Sequence, residues 1–275
     1  PNGTNTYIAA SYVKYVEASG GRVVPIFVNR TKDYYRKLFN SINGVLLPGG
    51  VASLKTSGYL RAAKIIFDLA IEANENGTHF PLWGTCLGFE ALSRLAIDKL
   101  VLRRCHAHDL ALPLTFTSDF RRSRMFRGIP RFLKNALRTQ PITYNSHGKC
   151  LTSQNFTAFG LDKFFRVTST NVDKNGSVTF ISSMEARSYP FYGVQFHPEK
   201  NNFEWIQRKD YAHIPHTKTA VRLSQYLGNF FLDEARKNNH SFASATEEIN
   251  ALIHNYPVTF TQNRSVFAQM YIFPS

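Results

Sequence analysis

Three short stretches of the 275-residue chain carry residue types that could do covalent chemistry at a carbonyl carbon. The first is Trp83-Gly84-Thr85-Cys86-Leu87-Gly88-Phe89-Glu90. It sets a thiol between two glycines in a G-x-C-x-G element, after a short apolar run and before a helical pattern. The G-x-S-x-G nucleophile elbow solves the same backbone problem. Small residues at 84 and 88 permit a sharp turn and a close approach of strand and helix. The turn presents Cys86 at the carboxyl end of the strand, where open α/β sheets bind ligands. The following helix aims its N-terminus at Cys86, and its positive end is expected to favour thiolate and lower the thiol pKa. The Leu87 N–H is placed to donate to an oxyanion. A buried structural cysteine beside packing glycines is the plain alternative for this element taken alone.

The second stretch is Tyr192-Gly193-Val194-Gln195-Phe196-His197-Pro198-Glu199. Its strand pattern ends at His197, and Pro198 stops regular pairing. Residues two apart in extended backbone project to one side. Glu199 can therefore orient one ring nitrogen of His197 while the other faces a thiol, which is the nucleophile–base–orienter logic of a triad. The third stretch is Leu47-Pro48-Gly49-Gly50 after a buried-strand pattern. Glycines there let backbone N–H groups face a bound carbonyl oxygen. Either stretch by itself also fits an ordinary surface turn or loop; the three together, in this order, are far more specific.

The elements that must hold these residues follow from periodicity. Tyr7–Ser19 has a helical pattern with Ile8, Tyr12 and Tyr15/Val16 on one face, stopped by Gly20-Gly21. Val23–Val28 is β-rich, Asp33–Phe39 helical and Gly44–Leu47 a buried strand. Leu60–Glu75 is a long amphipathic helix closed by Asn76-Gly77; Phe80–Trp83 is a strand and Gly88–Ile97 a helix. Such alternation predicts a parallel sheet covered by helices on both faces. Residues 100–190 are β-rich, with a short helix near Pro130–Leu137 and a hairpin turn at Asp173–Gly176 between Phe165–Thr170 and Ser177–Met184. Phe191–Phe196 is a strand and Thr219–Lys237 the closing helix. Met270–Phe273 is a last apolar run. No repeat, low-complexity linker or sharp boundary divides the chain.

With 43% hydrophobic and 14% aromatic residues, the chain can bury a substantial core. Its longest apolar runs fall far short of the roughly 20 residues that span a bilayer, so a soluble protein with no membrane partner is expected. The formal net charge is +14, with basic residues concentrated in Arg103–Arg104 and Arg121–Arg138. A solvated basic face or the steering of an anionic ligand explains this charge. No recognition helix, zinc finger or RNA-binding signature accompanies it, so nucleic acid is not an expected partner. The cysteines Cys86, Cys105 and Cys150 are an odd set, and Cys105 and Cys150 could pair or stay free. No C-x-x-C spacing suggests a structural zinc site, and neither a metal nor a cofactor is expected. Seven N-x-S/T sequons occur, at Asn2, Asn29, Asn76, Asn155, Asn175, Asn239 and Asn263. About three would arise by chance if roughly one residue in seven is Ser or Thr. The excess, with Pro rather than Met in first place, suggests a glycosylated secretory protein with its signal peptide removed or absent. Asn76, Asn155, Asn239 and Asn263 are the foremost candidates.

Leu-Pro-Gly-Gly, then G-x-C-x-G, then His-Pro-Glu resembles the class I glutamine amidotransferase superfamily. Trp-Gly-Thr-Cys-Leu-Gly-Phe-Glu and Val-Gln-Phe-His-Pro-Glu-Lys, with Tyr189-Pro190-Phe191-Tyr192-Gly193, Phe203-Glu204-Trp205 and Glu234–Asn239, are similar to the γ-glutamyl hydrolase family of cysteine peptidases. The resemblance runs from Tyr7 to Phe273. It implies an α/β fold with a mostly parallel central sheet and helices on both faces (flavodoxin-like), as a single domain over residues 1–275. It implies Cys86 as nucleophile, His197 as base, Glu199 as third member, and oxyanion donors at Leu87 and Gly49-Gly50. His147, in Thr143-Tyr144-Asn145-Ser146-His147, matches a second active-site histidine of the family. Glu90, four residues after Cys86 on one helix face, matches an acidic residue suited to the α-amino group of a γ-linked glutamate. Lys200 is a candidate for a substrate carboxylate.

The implied activity is hydrolysis of γ-glutamyl bonds in folate or antifolate poly-γ-glutamates through a thioester. A homodimer and a lysosomal or secreted location are implied with it. A glutaminase subunit feeding a synthase, or a non-catalytic folate-polyglutamate binder, are the alternatives. Two departures stand out: the family's first strand and its loop, ahead of the helix at Tyr7, look absent, and Arg121–Arg138 is unusually basic.

Overall fold

A computed structural model describes residues 5–206, 208–262 and 264–273. The chain opens with β1 (Thr6–Ala9), α1 (Ala10–Glu17), α2 (Lys32–Phe39), β2 (Val45–Leu47), α3 (Gly58–Glu75), β3 (Leu82–Thr85) and α4 (Leu87–Ile97). The middle holds β4 (Arg103–Leu112), β5 (Thr115–Phe116), α5 (Arg124–Arg127), α6 (Arg131–Thr139), β6 (Thr143–Cys150), α7 (Ser153–Ala158), α8 (Leu161–Phe164), β7 (Phe165–Val172) and β8 (Thr179–Ala186). It closes with β9 (Phe191–Val194), α9 (Lys200–Phe203), α10 (Lys218–Ala235), α11 (Ala245–Ala251), β10 (Val258–Phe260) and β11 (Gln269–Phe273).

The central sheet has six strands in the order β2-β3-β9-β8-β7-β5. It is mixed. The expected parallel pairing joins β2 to β3 and β3 to β9, and the sheet continues antiparallel through β8, β7 and β5. Both loops that carry the candidate chemistry leave the carboxyl ends of the parallel strands β3 and β9. Alternation along these strands feeds two cores. Leu82 and Phe191 join Leu47, Ile66, Phe89 and Leu92 on the α3/α4 face. Trp83, Tyr192 and Val194 join Tyr15, Leu137, Leu223 and Leu227 on the α1/α6/α10 face. Two of the helices over these faces, α3 and α10, start on hydroxyl caps: Ser57 Oγ accepts from Leu60 N, and Thr217 Oγ1 from Ala220 N.

The helix expected over Tyr7–Ser19 begins only at Ala10. Residues 6–9 are a strand, paired antiparallel with β11 in the register Thr6↔Phe273 to Ala9↔Met270. A strand therefore does precede the first helix, contrary to expectation, but it sits in a separate three-stranded sheet, β1-β11-β10. Val23–Val28 carries no ladder bonds; Pro25 within it lacks an N–H. Beside β2, an edge of the central sheet among the described residues, lies a cavity of about 520 Å³ lined by Val16, Ile26, Val45, Leu47, Ile66 and Leu232 among others. The middle region departs from a single β layer: β4 and β6 form their own two-stranded antiparallel sheet, stapled by a Cys105–Cys150 disulfide. The turn at Asp173–Gly176 is as expected, with Asp173 N donating to Val178 O and Gly176 at φ +71°.

Candidate active site

Cys86 stands between β3 and α4 with φ 52° and ψ −105°, left-handed backbone that a non-glycine residue rarely adopts. It is buried, and its N–H donates to Val194 O at 2.9 Å, which ties the elbow to β9. A Cβ on Gly84 would come within 2.5 Å of the Gly88 carbonyl, and one on Gly88 would overlap the Leu47 carbonyl oxygen. Both glycines are therefore required by close approach, as their spacing suggests. No side chain caps α4, so its first N–H groups are left to serve what lies at the elbow.

His197 and Glu199 are both buried, and Nδ1 of the ring lies 2.8 Å from Glu199 Oε1. The His197 N–H donates to Tyr144 O at 2.7 Å, anchoring the loop after β9 to β6. A Cβ built on Gly49 would lie 2.9 Å from His197 Cε1 and 3.3 Å from Cys86 Cβ. Imidazole and thiol thus flank the same glycine, and the three sequence motifs meet at one place.

Two expectations change here. The Gly49 N–H, expected as an oxyanion donor, donates to Tyr12 Oη at 2.8 Å. Gly50, next in the loop and packed beside Leu87, is left as the loop's candidate donor. The second change concerns the acidity of the thiol. Burial pushes the Cys86 thiol well above its ordinary range, and Glu90 and Glu199 add to this; the Leu87 N–H and Lys200 pull only partly back. The helix start acts as expected in direction but is outweighed by desolvation and two carboxylates.

Glu90 lies one turn into α4, buried, with Gln195 Nε2 donating to its Oε1 at 3.3 Å. Burial pushes its carboxyl up to about 7, opposed by that hydrogen bond and by Lys149. His147 on β6 is buried, and desolvation pushes its ring down to about 3, so it is neutral. Its Nδ1 is 3.0 Å from Lys149 O and its Nε2 3.2 Å from Asn145 Oδ1. Lys200 is buried at the start of α9, with Nζ 4.8 Å from the Phe267 ring centroid, 5.6 Å from Tyr211 and 6.0 Å from Tyr144. Burial lowers its pKa while Glu199 and Glu204 raise it.

Sequence reasoning missed three residues here. Tyr12 reads as part of the apolar face of a helix, yet its hydroxyl bridges Gly49 N and His197 Nδ1, the latter at 3.3 Å. Gln195 reads as an alternating strand residue, yet it meets Glu90. Glu204 is buried beside Lys200 and accepts from Ala268 N at 2.7 Å. Of the sequons, Asn29, Asn76, Asn175 and Asn239 are exposed. Asn155 is half-buried and its Nδ2 donates to Val101 O at 2.6 Å, so the nitrogen that would carry a glycan is engaged. Asn2 and Asn263 lie outside the described residues. The basic residues Arg121, Arg122, Arg127, Arg131 and Arg138 are exposed to solvent.

A cysteine at the elbow between a parallel strand and a helix, beside a histidine–carboxylate pair leaving the next parallel strand, defines the class I glutamine amidotransferase-like α/β fold. The backbone superimposes on the glutaminase domain of Trypanosoma brucei CTPS with bound acivicin at a TM-score of 0.52 and 17% identity, covering 84% of this chain and 88% of that one. Within that fold the chain belongs to the Peptidase C26 family, whose model matches residues 2–199. It is 48% identical to the γ-glutamyl hydrolase of Homo sapiens over 97% of this chain and 83% of the relative. It is 39% identical to γ-glutamyl hydrolase B of Dictyostelium discoideum, over 98% and 77%, and 36% identical to γ-glutamyl hydrolase 1 of Arabidopsis thaliana, over 94% and 72%.

Proposed function

We propose that this chain is a γ-glutamyl hydrolase in which Cys86 is the nucleophile, His197 its base and Glu199 the residue that orients the base. The observation that carries the reading is that Cys86 and His197 both stand against Gly49, with Glu199 on the Nδ1 of the ring.

Because burial keeps the thiol protonated at rest, His197 takes the thiol proton as sulfur attacks the γ-carbonyl carbon. Glu199 on Nδ1 leaves Nε2 to accept it. The Leu87 and Gly50 N–H groups hold the oxyanion that forms. His197 then protonates the leaving amine, a thioester to Cys86 remains, and a water deprotonated by His197 releases the γ-glutamyl product and restores the thiol. Tyr12 holds Gly49 and the imidazole in place.

The substrate class is folate or antifolate poly-γ-glutamate. Glu90 receives the α-nitrogen of the glutamyl unit and Lys200 serves its carboxylate; His147, with both ring nitrogens on protein oxygens, supports the binding face from β6. A +14 chain raises the encounter rate with such a polyanion. The chain works as one domain, as a homodimer, in the lysosome or outside the cell; among the described residues no helix is long and apolar enough to cross a membrane. The test is release of glutamate from a pteroyl poly-γ-glutamate by the parent and by Cys86→Ala, with free glutamine as a second substrate. Release by the parent alone supports the reading. Equal turnover of glutamine points to a glutaminase, and tight binding without release points to a carrier.

A further inference from the structure

The proposed reaction takes no step through the His147 ring or the two sulfurs beside it. Cys105 on β4 and Cys150 on β6 are joined with Cα atoms 5.9 Å apart. His147 Nδ1 lies 3.8 Å from Cys105 Sγ and 3.5 Å from Cys150 Sγ. All three side chains are buried, with donor atoms within 4.8 Å of one another; no other group of three His, Cys, Asp or Glu among the described residues is so disposed to hold a metal ion. Ala107 and Phe180 close the site, the Phe180 ring standing edge-on to the imidazole at 5.1 Å.

The imidazole has an unbalanced set of neighbours. Each ring nitrogen faces an oxygen that can only accept, Lys149 O at Nδ1 and Asn145 Oδ1 at Nε2. The Asn145 amide nitrogen is committed to Leu110 O and Thr143 O, which fixes its oxygen toward the ring. A neutral ring has one proton for two acceptors. With a cation at Nδ1 the proton sits on Nε2 and donates to Asn145, the outer hydrogen bond that metal-ligating histidines use, while Lys149 O faces positive charge instead of a lone pair.

We infer that Cys105, His147 and Cys150 are a latent soft-metal site, closed while the disulfide stands and opened by its reduction, for a thiophilic divalent cation such as Zn2+. A dithiol reductant supplies two electrons and two protons. The Cys105–Cys150 bond breaks, two thiols form, and the reductant closes to its own disulfide. The cation then displaces both thiol protons to solvent and takes two thiolates and His147 Nδ1. Two thiolates cancel the 2+ charge, so the buried unit is neutral. A metal–sulfur length of about 2.3 Å at tetrahedral angles separates the sulfurs by roughly 3.8 Å, within reach of side chains whose Cα atoms are 5.9 Å apart.

The test uses the full chain carrying Cys86→Ala, so that the elbow thiol contributes nothing. After dithiol treatment and removal of the reductant under argon, Co2+ is added and the thiolate-to-cobalt charge-transfer and tetrahedral d–d bands are read. The reduced protein should take up about one Co2+ per chain. Occupancy should be at least about tenfold lower in the unreduced protein and in the reduced protein that also carries Cys105→Ser, both checked for native circular dichroism. Absence of the bands in a folded chain with two titratable thiols overturns the inference. So does equal binding by the Cys105→Ser form, or unfolding on reduction. Because no step reads turnover, none of these results bears on the hydrolase reading.

Discussion

The hydroxyl of Tyr12 and the amide of Gly49 are hydrogen-bonded at 2.8 Å, and the same hydroxyl lies 3.3 Å from His197 Nδ1. One side chain on α1 thus ties the glycine loop after β2 to the imidazole after β9. Tyr12→Phe removes the bridge and keeps the ring in its core. Its kcat should fall roughly 10- to 100-fold with KM little changed, the magnitude typical of losing a group that orients a reacting one. Steady-state kinetics on a γ-glutamyl substrate reads this directly. A kcat equal to the parent's would mean that the loop and the imidazole hold their places without the hydroxyl.

Glu90 should make stability fall as pH rises. Its carboxyl is pushed up to about 7 by burial, from an ordinary value of about 4.5. A raised folded pKa means the native state holds the proton more tightly than the unfolded chain. The stabilisation is full below about 4.5 and is lost as pH climbs through about 7, for a total of roughly 3 kcal/mol. Glu90→Gln cannot titrate, so its stability relative to the parent should increase between pH 5 and pH 8. Paired urea melts across that range test the sign. A constant difference would show that the carboxyl does not titrate there.

Cys86 should alkylate slowly for a proposed nucleophile. Burial and two nearby carboxylates hold it protonated, and the thiolate is the reacting species. Its rate with iodoacetamide should keep climbing through pH 9, with no plateau near neutrality. A plateau below pH 7 would instead indicate a preformed thiolate–imidazolium pair.

Gly88→Ala should prevent normal folding rather than trim activity. An added Cβ overlaps the Leu47 carbonyl oxygen, a backbone atom that cannot rotate away. Separating α4 from β2 to admit it would cost on the order of 3 kcal/mol or more. Gly50→Ala is the control in the same neighbourhood. Its Cβ would sit 3.6 Å from Leu87 Cδ2, an ordinary contact, and its thermal midpoint should stay within a few degrees of the parent's.

Much of the site was legible because its residues are bound to turns that only certain sequences make. Gly84 and Gly88 announce a strand–helix elbow, and Pro198 announces a strand end that frees His197 and Glu199. Tyr12 was not legible: at helical spacing an aromatic residue looks the same whether its hydroxyl meets a carbonyl or an imidazole. The β1–β11 pairing joins residues some 260 positions apart, and no local periodicity encodes such a partner. The Cys105–Cys150 bond was open for the same reason, since it depends on β4 and β6 leaving the central sheet. The resting thiol was misjudged because a helix N-terminus is visible in sequence, whereas the burial that outweighs it is not.

The left-handed backbone of Cys86 sets two selective pressures against each other at one codon. Holding a β-carbon there costs about 1–3 kcal/mol, which glycine would avoid. Cys86→Gly should therefore melt at a higher temperature than the active protein while hydrolysing nothing. Cysteine and glycine codons differ by a single base, so a sturdier lineage that still folds, and at most carries γ-glutamyl compounds without cutting them, lies one mutation away.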